Sequence, residues 1–246
     1  MLTALFADIH ANREALEACL DHAQRLRPNR YAFLGDYVGY GADPQWVVDV
    51  VRRQVEQGAI AVVGNHDRAI VDPSISMNRD AETAIEWTKT QLSSDARDFL
   101  ARLPMAIEDG SRLYVHGDAS APPRFIYVTD SDTARNSLLA THAQTTFCGH
   151  VHSPAIYALS TTEKLTSFQP VPGIPIPLLK QRRWISVLGS VGQPRDGQAA
   201  ASYAMFDDVT LEITYHRIPY DAETAAAKIR AAGLPHALAD RLLRGR

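Results

Sequence analysis

The stretch LTALFADIHANREALEACLDHAQRLRPNRYAFLGD, residues 2–36, decides the architecture. Residues 2–7 run apolar and stop at Asp8-Ile9-His10. From Asn12 to Leu26, the residues Ala15, Leu16, Cys19, Leu20 and Ala23 recur at helical spacing and give one apolar stripe. Tyr31 to Gly35 then repeats the short apolar run, which ends at Asp36. Further on, Pro44 stands at the start of a helix that runs through Glu56, Gly58 closes it, and Ala59 to Val63 forms a third strand. A β-α-β-α-β order over the first 65 residues is the pattern of a mainly parallel sheet covered by helices.

Two helical stretches follow within residues 78–103, with Pro104 ending the second. Residues 112–115 read as a strand, 131–142 as a short helix capped by Ser131 or Asp132, and 145–148 as another strand. Beyond His152 the texture changes. Segments 155–161, 184–188, 202–207 and 211–217 are short and β-branched or alternating, as in an antiparallel sheet, with Asp207-Asp208 at a hairpin turn. QPVPGIPIPLL, residues 169–179, carries four prolines and is expected to be an irregular or extended loop. The alanine-rich tail, 221–243, reads as one helix, or two broken at Gly233-Leu234-Pro235. There is no internal repeat and no convincing linker, so the expectation is a single α/β domain over 1–246, with two packed sheets flanked by helices.

The chain's 246 residues are 46% hydrophobic, enough for a sizeable core. A net charge of −3 argues against a general nucleic-acid or anionic-membrane binder. RLRPNR (25–30) and KQRR (180–183) are short enough to be solvated faces. Two cysteines cannot build a disulfide framework and fit a reducing compartment. Cys19 falls on the apolar stripe of its helix; Cys148 precedes Gly149-His150, where a metal role competes with that of a buried strand residue. No segment approaches the roughly 20 apolar residues that cross a bilayer. The N-terminus starts a strand at once, without a signal sequence. A cytoplasmic location is expected.

Five runs rich in metal-binding residue types each follow an apolar stretch: Asp8-Ile9-His10, Gly35-Asp36, Gly64-Asn65-His66-Asp67, His116-Gly117-Asp118 and Gly149-His150-Val151-His152. Open α/β sheets bind ligands outside the carboxyl ends of their strands, so the five ends can converge. Asp8, His10, Asp36, Asn65, His116, His150 and His152 make seven candidate ligands, more than one tetrahedral cation needs. Two divalent cations are the economical account. The mixed nitrogen and oxygen set suits Mn, Fe, Co, Ni or Zn.

The ordered set DxH, GD, GNHD, a lone His and GHxH resembles the calcineurin-like metallophosphoesterases. A later string, Gly189-Ser190-Val191-Gly192-Gln193-Pro194-Arg195, is similar to the GSVGxPR segment of that family's small bacterial and archaeal phosphodiesterase branch. The resemblance implies a four-layer α-β-β-α sandwich. It implies that Asp8, His10, Asp36 and His152 hold one metal and that Asp36, Asn65, His116 and His150 hold the other, with Asp36 shared. It implies that a metal-bridging hydroxide attacks phosphorus in line, and that His66 touches the phosphate or leaving group. The sequence departs from the common GDxxD pattern: the run is Gly35-Asp36-Tyr37-Val38-Gly39, so the acid that usually orients this histidine is absent. Asp67 and Asp43 are the nearby acids that could substitute.

Asn12 is either a phosphate contact or the cap of the following helix. Arg195 is either a phosphate clamp or part of a salt bridge on a turn. Asp118 is either an orienting partner of His116 or a plain loop carboxylate. Tyr37 and Tyr40 flank the Asp36 loop and could stack on a base or simply pack. His22, His142, His216 and His236 read as ordinary structural histidines. The expected activity is hydrolysis of small phosphodiesters or nucleotides. A phosphomonoesterase or phosphoprotein phosphatase is the alternative within enzymes, and a non-catalytic scaffold of the same fold is the alternative outside them.

Overall fold

Alternation along the first strand already requires two covered faces. In β1 (Leu2–Phe6), Ala4 and Phe6 enter one apolar cluster, while Leu5 and the following Ala7 enter another. Successive side chains of a strand point to opposite faces, so apolar residues on both sides mean a sheet buried on both sides. The computed structural model describes residues 1–246 throughout.

In chain order the first half contains β1, α1 (Arg13–Arg25), β2 (Arg30–Phe33), α2 (Pro44–Glu56), β3 (Ile60–Ala61), α3 (Asn65–Ala69), α4 (Arg79–Gln91), α5 (Ser94–Arg102), β4 (Ala106–Asp109) and β5 (Arg112–Val115). A short 3₁₀ turn at Pro122–Arg124 precedes α6 (Ser131–Leu139), β6 (Thr145–Cys148), β7 (Ala155–Ser160), β8 (Leu165–Phe168), β9 (Ile176–Pro177) and β10 (Arg182–Val187). β11 (Ala201–Asp207), β12 (Glu212–Ile218), α7 (Ala222–Ala231) and α8 (His236–Arg244) complete the chain.

One sheet has the order β3-β2-β1-β11-β12-β9 and the other β4-β5-β6-β10-β7-β8. Between them lie Leu5, Leu34, Tyr114, Phe147, Phe206 and Tyr215. The outer face of the first sheet is covered by α1, α2 and α5, which bury Leu16, Cys19, Val47, Val51 and Leu100 against Phe6, Phe33 and Tyr203. The outer face of the second sheet packs Tyr157, Ile185 and Val187 on Ala134 and Leu138 of α6. These are the four layers α-β-β-α. Phe147 is wholly buried between the sheets, so its truncation to alanine removes about 3–5 kcal/mol.

Two sequence expectations are corrected. The four strands after His152 do not form one antiparallel sheet. β7 and β10 join the second sheet, with β10 parallel to β6, while β11 and β12 join the first, with β11 antiparallel to β1. Partner choice over such separations depends on which apolar faces meet, and local pattern does not record it. The proline-rich segment is also not wholly irregular, because Ile176–Pro177 pairs with the edge of β12, where a missing N–H is tolerated. The sequence pattern also missed β4, which pairs with β5 through the two-residue turn Gly110-Ser111, with Gly110 at φ +61°.

β1, β2 and β3 run parallel, as do β5 and β6, and all five motifs follow their carboxyl ends. The convergence therefore draws on two sheets. No helix of the chain is long and apolar enough to cross a membrane.

Candidate metal centre

Three of the five motifs leave their strands through a backbone that ordinary residues avoid. Asp8 (φ 54°), His10 (49°), Asp36 (56°), His150 (68°) and His152 (63°) all have left-handed backbone conformations. Such a residue costs about 1–3 kcal/mol, and the surrounding hydrogen bonds hold it there. Asp8 N and His10 N donate to the carbonyls of Gly35 and Asp36, and His150 N donates to the Asp8 carboxylate at 2.9 Å. Gly149 is required beside that bond, because a Cβ there would lie 2.5 Å from the Asp8 Oδ2.

Six of the seven candidate ligands form two groups, and Asn65 lies beside the second. Asp8, His10, Asp36 and His152 form one, and Asp36, His116 and His150 form the other, all buried. In the first, His10 Nε2 faces His152 Nε2 at 3.0 Å and Asp36 Oδ2 at 3.7 Å, while His152 Nε2 lies 3.4 Å from Asp8 Oδ1. In the second, His116 Nε2 lies 3.0 Å from His150 Nδ1, 3.2 Å from Asn65 Oδ1 and 3.3 Å from Asp36 Oδ2. The same Asp36 oxygen looks into both groups, and its other oxygen accepts the His66 N–H at 2.8 Å.

The far sides of the rings fix which nitrogen faces inward. The Nδ1 atoms of His10, His116 and His152 reach the backbone carbonyls of Val38 (3.1 Å), Leu34 (2.6 Å) and Gln193 (2.7 Å). A carbonyl only accepts, so each Nδ1 carries the hydrogen and each Nε2 turns a lone pair inward, as metal-binding histidines do. Without a cation the Nε2 lone pairs of His10 and His152 confront one another at 3.0 Å. Bonds of about 2.1 Å to a shared cation place neighbouring donors about 3.0–3.4 Å apart. The donor set therefore fits two divalent cations.

The electrostatics agree. Burial lowers His10 and His152 well below the ordinary imidazole value, and lowers His150 to about 3, so these rings stay neutral and available to a cation. Burial raises Asp8 to about 8. Against the upward push of burial, His116, His66 and His10 hold Asp36 well below the usual carboxylate range. His116 goes the other way: although burial opposes it, Asp36 and Asp8 raise it to about 9. Metal-free, this cluster keeps protons where a cation would sit.

His66 is buried beside the two ligand groups, its ring 4.8 Å from that of His10 and 4.5 Å from that of Tyr40. Neither nearby acid orients it. Asp67 is consumed by the backbone: Oδ2 accepts from Asp36 N (2.7 Å) and Gly64 N (3.0 Å), and Oδ1 from Tyr37 N (2.8 Å) and Val38 N (3.2 Å). Asp43 bonds Lys228 at 2.8 Å. The position of the missing acid is explained by Gly39, where φ is +83° and a Cβ would lie 2.3 Å from His66 Nδ1. The ring occupies the space an acid's side chain would need. His66 Nδ1 has no hydrogen-bond partner, and burial lowers this histidine to about 4.

Asn12 is a helix cap, its Oδ1 accepting from Ala15 N at 3.1 Å and its Nδ2 donating to the Gly192 carbonyl at 2.8 Å. Its amide is committed on both sides to the fold, so the cap reading is the one the structure supports. Arg195 bonds the neutral Gln193 side chain at 2.9 Å and lies 5.7 Å from the centroid of the Tyr40 ring, at the mouth of the centre. Asp118 accepts from Ala121 N and the Ser120 hydroxyl, which makes it a loop carboxylate. Tyr37 is buried and bonds the Val62 carbonyl at 2.6 Å, so it packs. Cys148 is a buried strand residue. Sequence reasoning missed Tyr127, whose ring stacks on His150 at 3.8 Å while its side chain stays half exposed. It sits in a loop without periodicity, and nothing local marks it.

Comparison with known proteins gives the same answer. A family model described as the calcineurin-like phosphoesterase superfamily domain matches residues 1–210. The Methanocaldococcus jannaschii protein MJ0912 is 32% identical over 253 residues, covering 100% of this chain and 98% of the relative. The crystal structure of a metallophosphoesterase from Sphaerobacter thermophilus superposes with a TM-score of 0.89 at 34% identity, covering 100% of this chain and 99% of the other. Protein PH1004 from Pyrococcus horikoshii OT3 shares the fold, with a TM-score of 0.78 at 19% identity over 100% of this chain and 98% of its own. With its motifs, its four layers and these matches in agreement, the chain belongs to the calcineurin-like phosphoesterase superfamily.

Proposed function

We propose that the protein is a metal-dependent phosphoesterase that cleaves small phosphodiesters with a binuclear centre. The observation that carries this is the single Asp36 Oδ2 directed into both ligand groups, 3.7 Å from His10 Nε2 and 3.3 Å from His116 Nε2. Asp8, His10, Asp36 and His152 would hold one cation, and Asp36, Asn65, His116 and His150 the other. Two such cations polarise phosphoryl oxygens and make a hydroxide nucleophile available near neutral pH.

The chain's own groups do the rest. The carbonyls of Val38, Leu34 and Gln193 keep the three Nε2 atoms aimed inward. Asp67 fixes the Asp36 loop through four backbone N–H groups. His66 has no carboxylate partner and is neutral at pH 7. An orphaned buried donor is rarer than an orphaned acceptor, so its hydrogen belongs on Nε2 rather than on the buried Nδ1. In this reading, Nε2–H donates a hydrogen bond to the phosphoryl or leaving oxygen and stabilises the charge that develops there. Arg195 at the mouth offers a planar fork to a phosphate oxygen. The preference for diesters over monoesters rests on the likeness of residues 189–195 to the GSVGxPR segment of the small phosphodiesterase branch. A cytoplasmic setting belongs to the same proposal, and rests on two buried free thiols.

The test is a substrate panel on metal-stripped protein with Mn, Fe, Co, Ni or Zn added back. Bis-p-nitrophenyl phosphate should be cleaved with at least one metal, and Asp36→Asn should abolish turnover. His66→Ala should lose about 100-fold or more in rate while keeping its metal content. Turnover that survives metal removal, or no turnover of any phosphoester with any metal, would overturn the proposal.

A further inference from the structure

Beside the metal centre lies a second cavity of about 480 Å³ that the metal positions do not use. Its wall begins at Ser153, the residue after His152, and continues through Arg195, Asp196, Arg217 and Arg246. Consecutive Cα atoms are about 3.8 Å apart, so the cavity opens one residue from a metal-binding position. The Arg195 N–H donates to the His152 carbonyl at 3.2 Å and ties the two walls together. The proline-rich segment supplies Pro170 and Pro172 to the same cavity, which gives that segment a role the sequence did not reveal.

The lining is strongly polar, with 1 hydrophobic residue among 12. It offers no apolar floor for a nucleobase or an acyl chain. Its charge is cationic, with three arginines facing one aspartate, in a chain whose net charge is −3. Asp196 is taken up by Arg217 in an ion pair. That pairing leaves to a ligand the Arg246 guanidinium and the Nη1 of Arg195, whose Nε and Nη2 bond the Gln193 side chain. Planar guanidinium groups in a wet, cationic cavity suit the oxygens of a phosphate.

We propose that this cavity binds a second, non-scissile phosphate of the substrate, so that the protein acts on phosphoesters bearing at least two phosphoryl groups. The proposal rests on the phosphoesterase reading above and names the substrate class for that same centre. Arg195, between the two sites, faces both phosphates.

Calorimetric titration of the metal-loaded full chain with thymidine 5′-monophosphate and thymidine 3′,5′-bisphosphate compares ligands that differ by one phosphate. The bisphosphate should bind at least about 10-fold tighter, with the advantage shrinking as salt rises. Arg246→Gln alters an exposed residue beyond the last helix and should reduce the ratio several-fold. Arg217→Gln leaves the Asp196 carboxylate without its partner, free to repel a phosphate, and should also lower the ratio. Equal binding of the two ligands, or a ratio unchanged in both variants, overturns the proposal. Turnover of bis-p-nitrophenyl phosphate, which carries no second phosphate, is followed in parallel and should be unchanged in Arg246→Gln. A ratio of one with that turnover intact removes the cavity's role and spares the phosphoesterase. A high ratio that falls in both variants, without turnover, keeps the phosphate cavity and removes the enzyme.

Discussion

Asp67→Asn should damage this protein more than its distance from the chemistry suggests. The wild-type carboxylate is fully buried and accepts four backbone N–H groups, those of Asp36 and Gly64 on one oxygen and those of Tyr37 and Val38 on the other. An amide keeps one acceptor oxygen and turns an NH₂ toward the other pair of donors. Two buried N–H groups then lose their acceptor, at about 1–3 kcal/mol each, so the variant should lose about 2–6 kcal/mol. Against the roughly 5–15 kcal/mol that stabilises a typical domain, the loss is severe. The displaced segment carries Asp36, so metal affinity should fall by about 10-fold or more, the scale on which supporting shells act. Urea unfolding of the metal-free protein should show a lower midpoint with an unchanged slope, and metal titration should show the weaker site. A midpoint shift worth under about 1 kcal/mol, together with unchanged metal affinity, would refute the claim that Asp67 braces the loop.

Three further outcomes follow from the same geometry. Gly39→Ala adds a Cβ 2.3 Å from His66 Nδ1 at a φ of +83°; it should displace the ring and cut kcat/KM for a diester while metal content stays at the wild-type level, and a full rate would show that the ring's position is immaterial. In the metal-free protein, Asp8 raised to about 8 and His116 raised to about 9 both hold protons at pH 7 that a cation must displace. Affinity should therefore rise with pH through that range, and calorimetry in two buffers of different ionisation enthalpy should register the release of protons; no release would contradict the assignment. His216, half-buried against His22, is lowered to about 4, chiefly by burial. The unfolded chain binds its proton from about pH 6.5 downward, so stability is present above that value and is lost as pH falls toward about 4. Solvent screening of a half-exposed ring limits the effect to about 1–2 kcal/mol. Urea midpoints of His216→Gln should show a flatter pH profile than wild type, and parallel profiles would remove His216 as the cause.

Much of this was legible because the relevant signals are local. A strand that stops at a carboxylate or an imidazole is visible in six residues, and all five such stops lead to the centre. The cap at Asn12, the break at Gly233-Leu234-Pro235 and the helix ends at Gly58 and Pro104 are equally local. What was not legible depends on who meets whom across the chain. β11 inserts beside β1 from some 200 residues away, and β7 and β10 separate from it into the other sheet. The role of Asp67 could not be read, because a carboxylate beside a histidine looks like its partner until the backbone donors are in place. Gly39 was visible as a departure, but its reason, a ring packed against its Cα, exists only in three dimensions. Tyr127 and the arginine-lined cavity beside His152 are likewise products of loop placement.

The measurement that tests the central claim most directly is anomalous diffraction from crystals of the manganese-loaded protein. Two peaks are expected, about 3.5–4 Å apart, with the Asp36 carboxylate between them, His10 and His152 on one ion, and His116 and His150 on the other. A single ion, or two ions that do not share Asp36, would contradict the account.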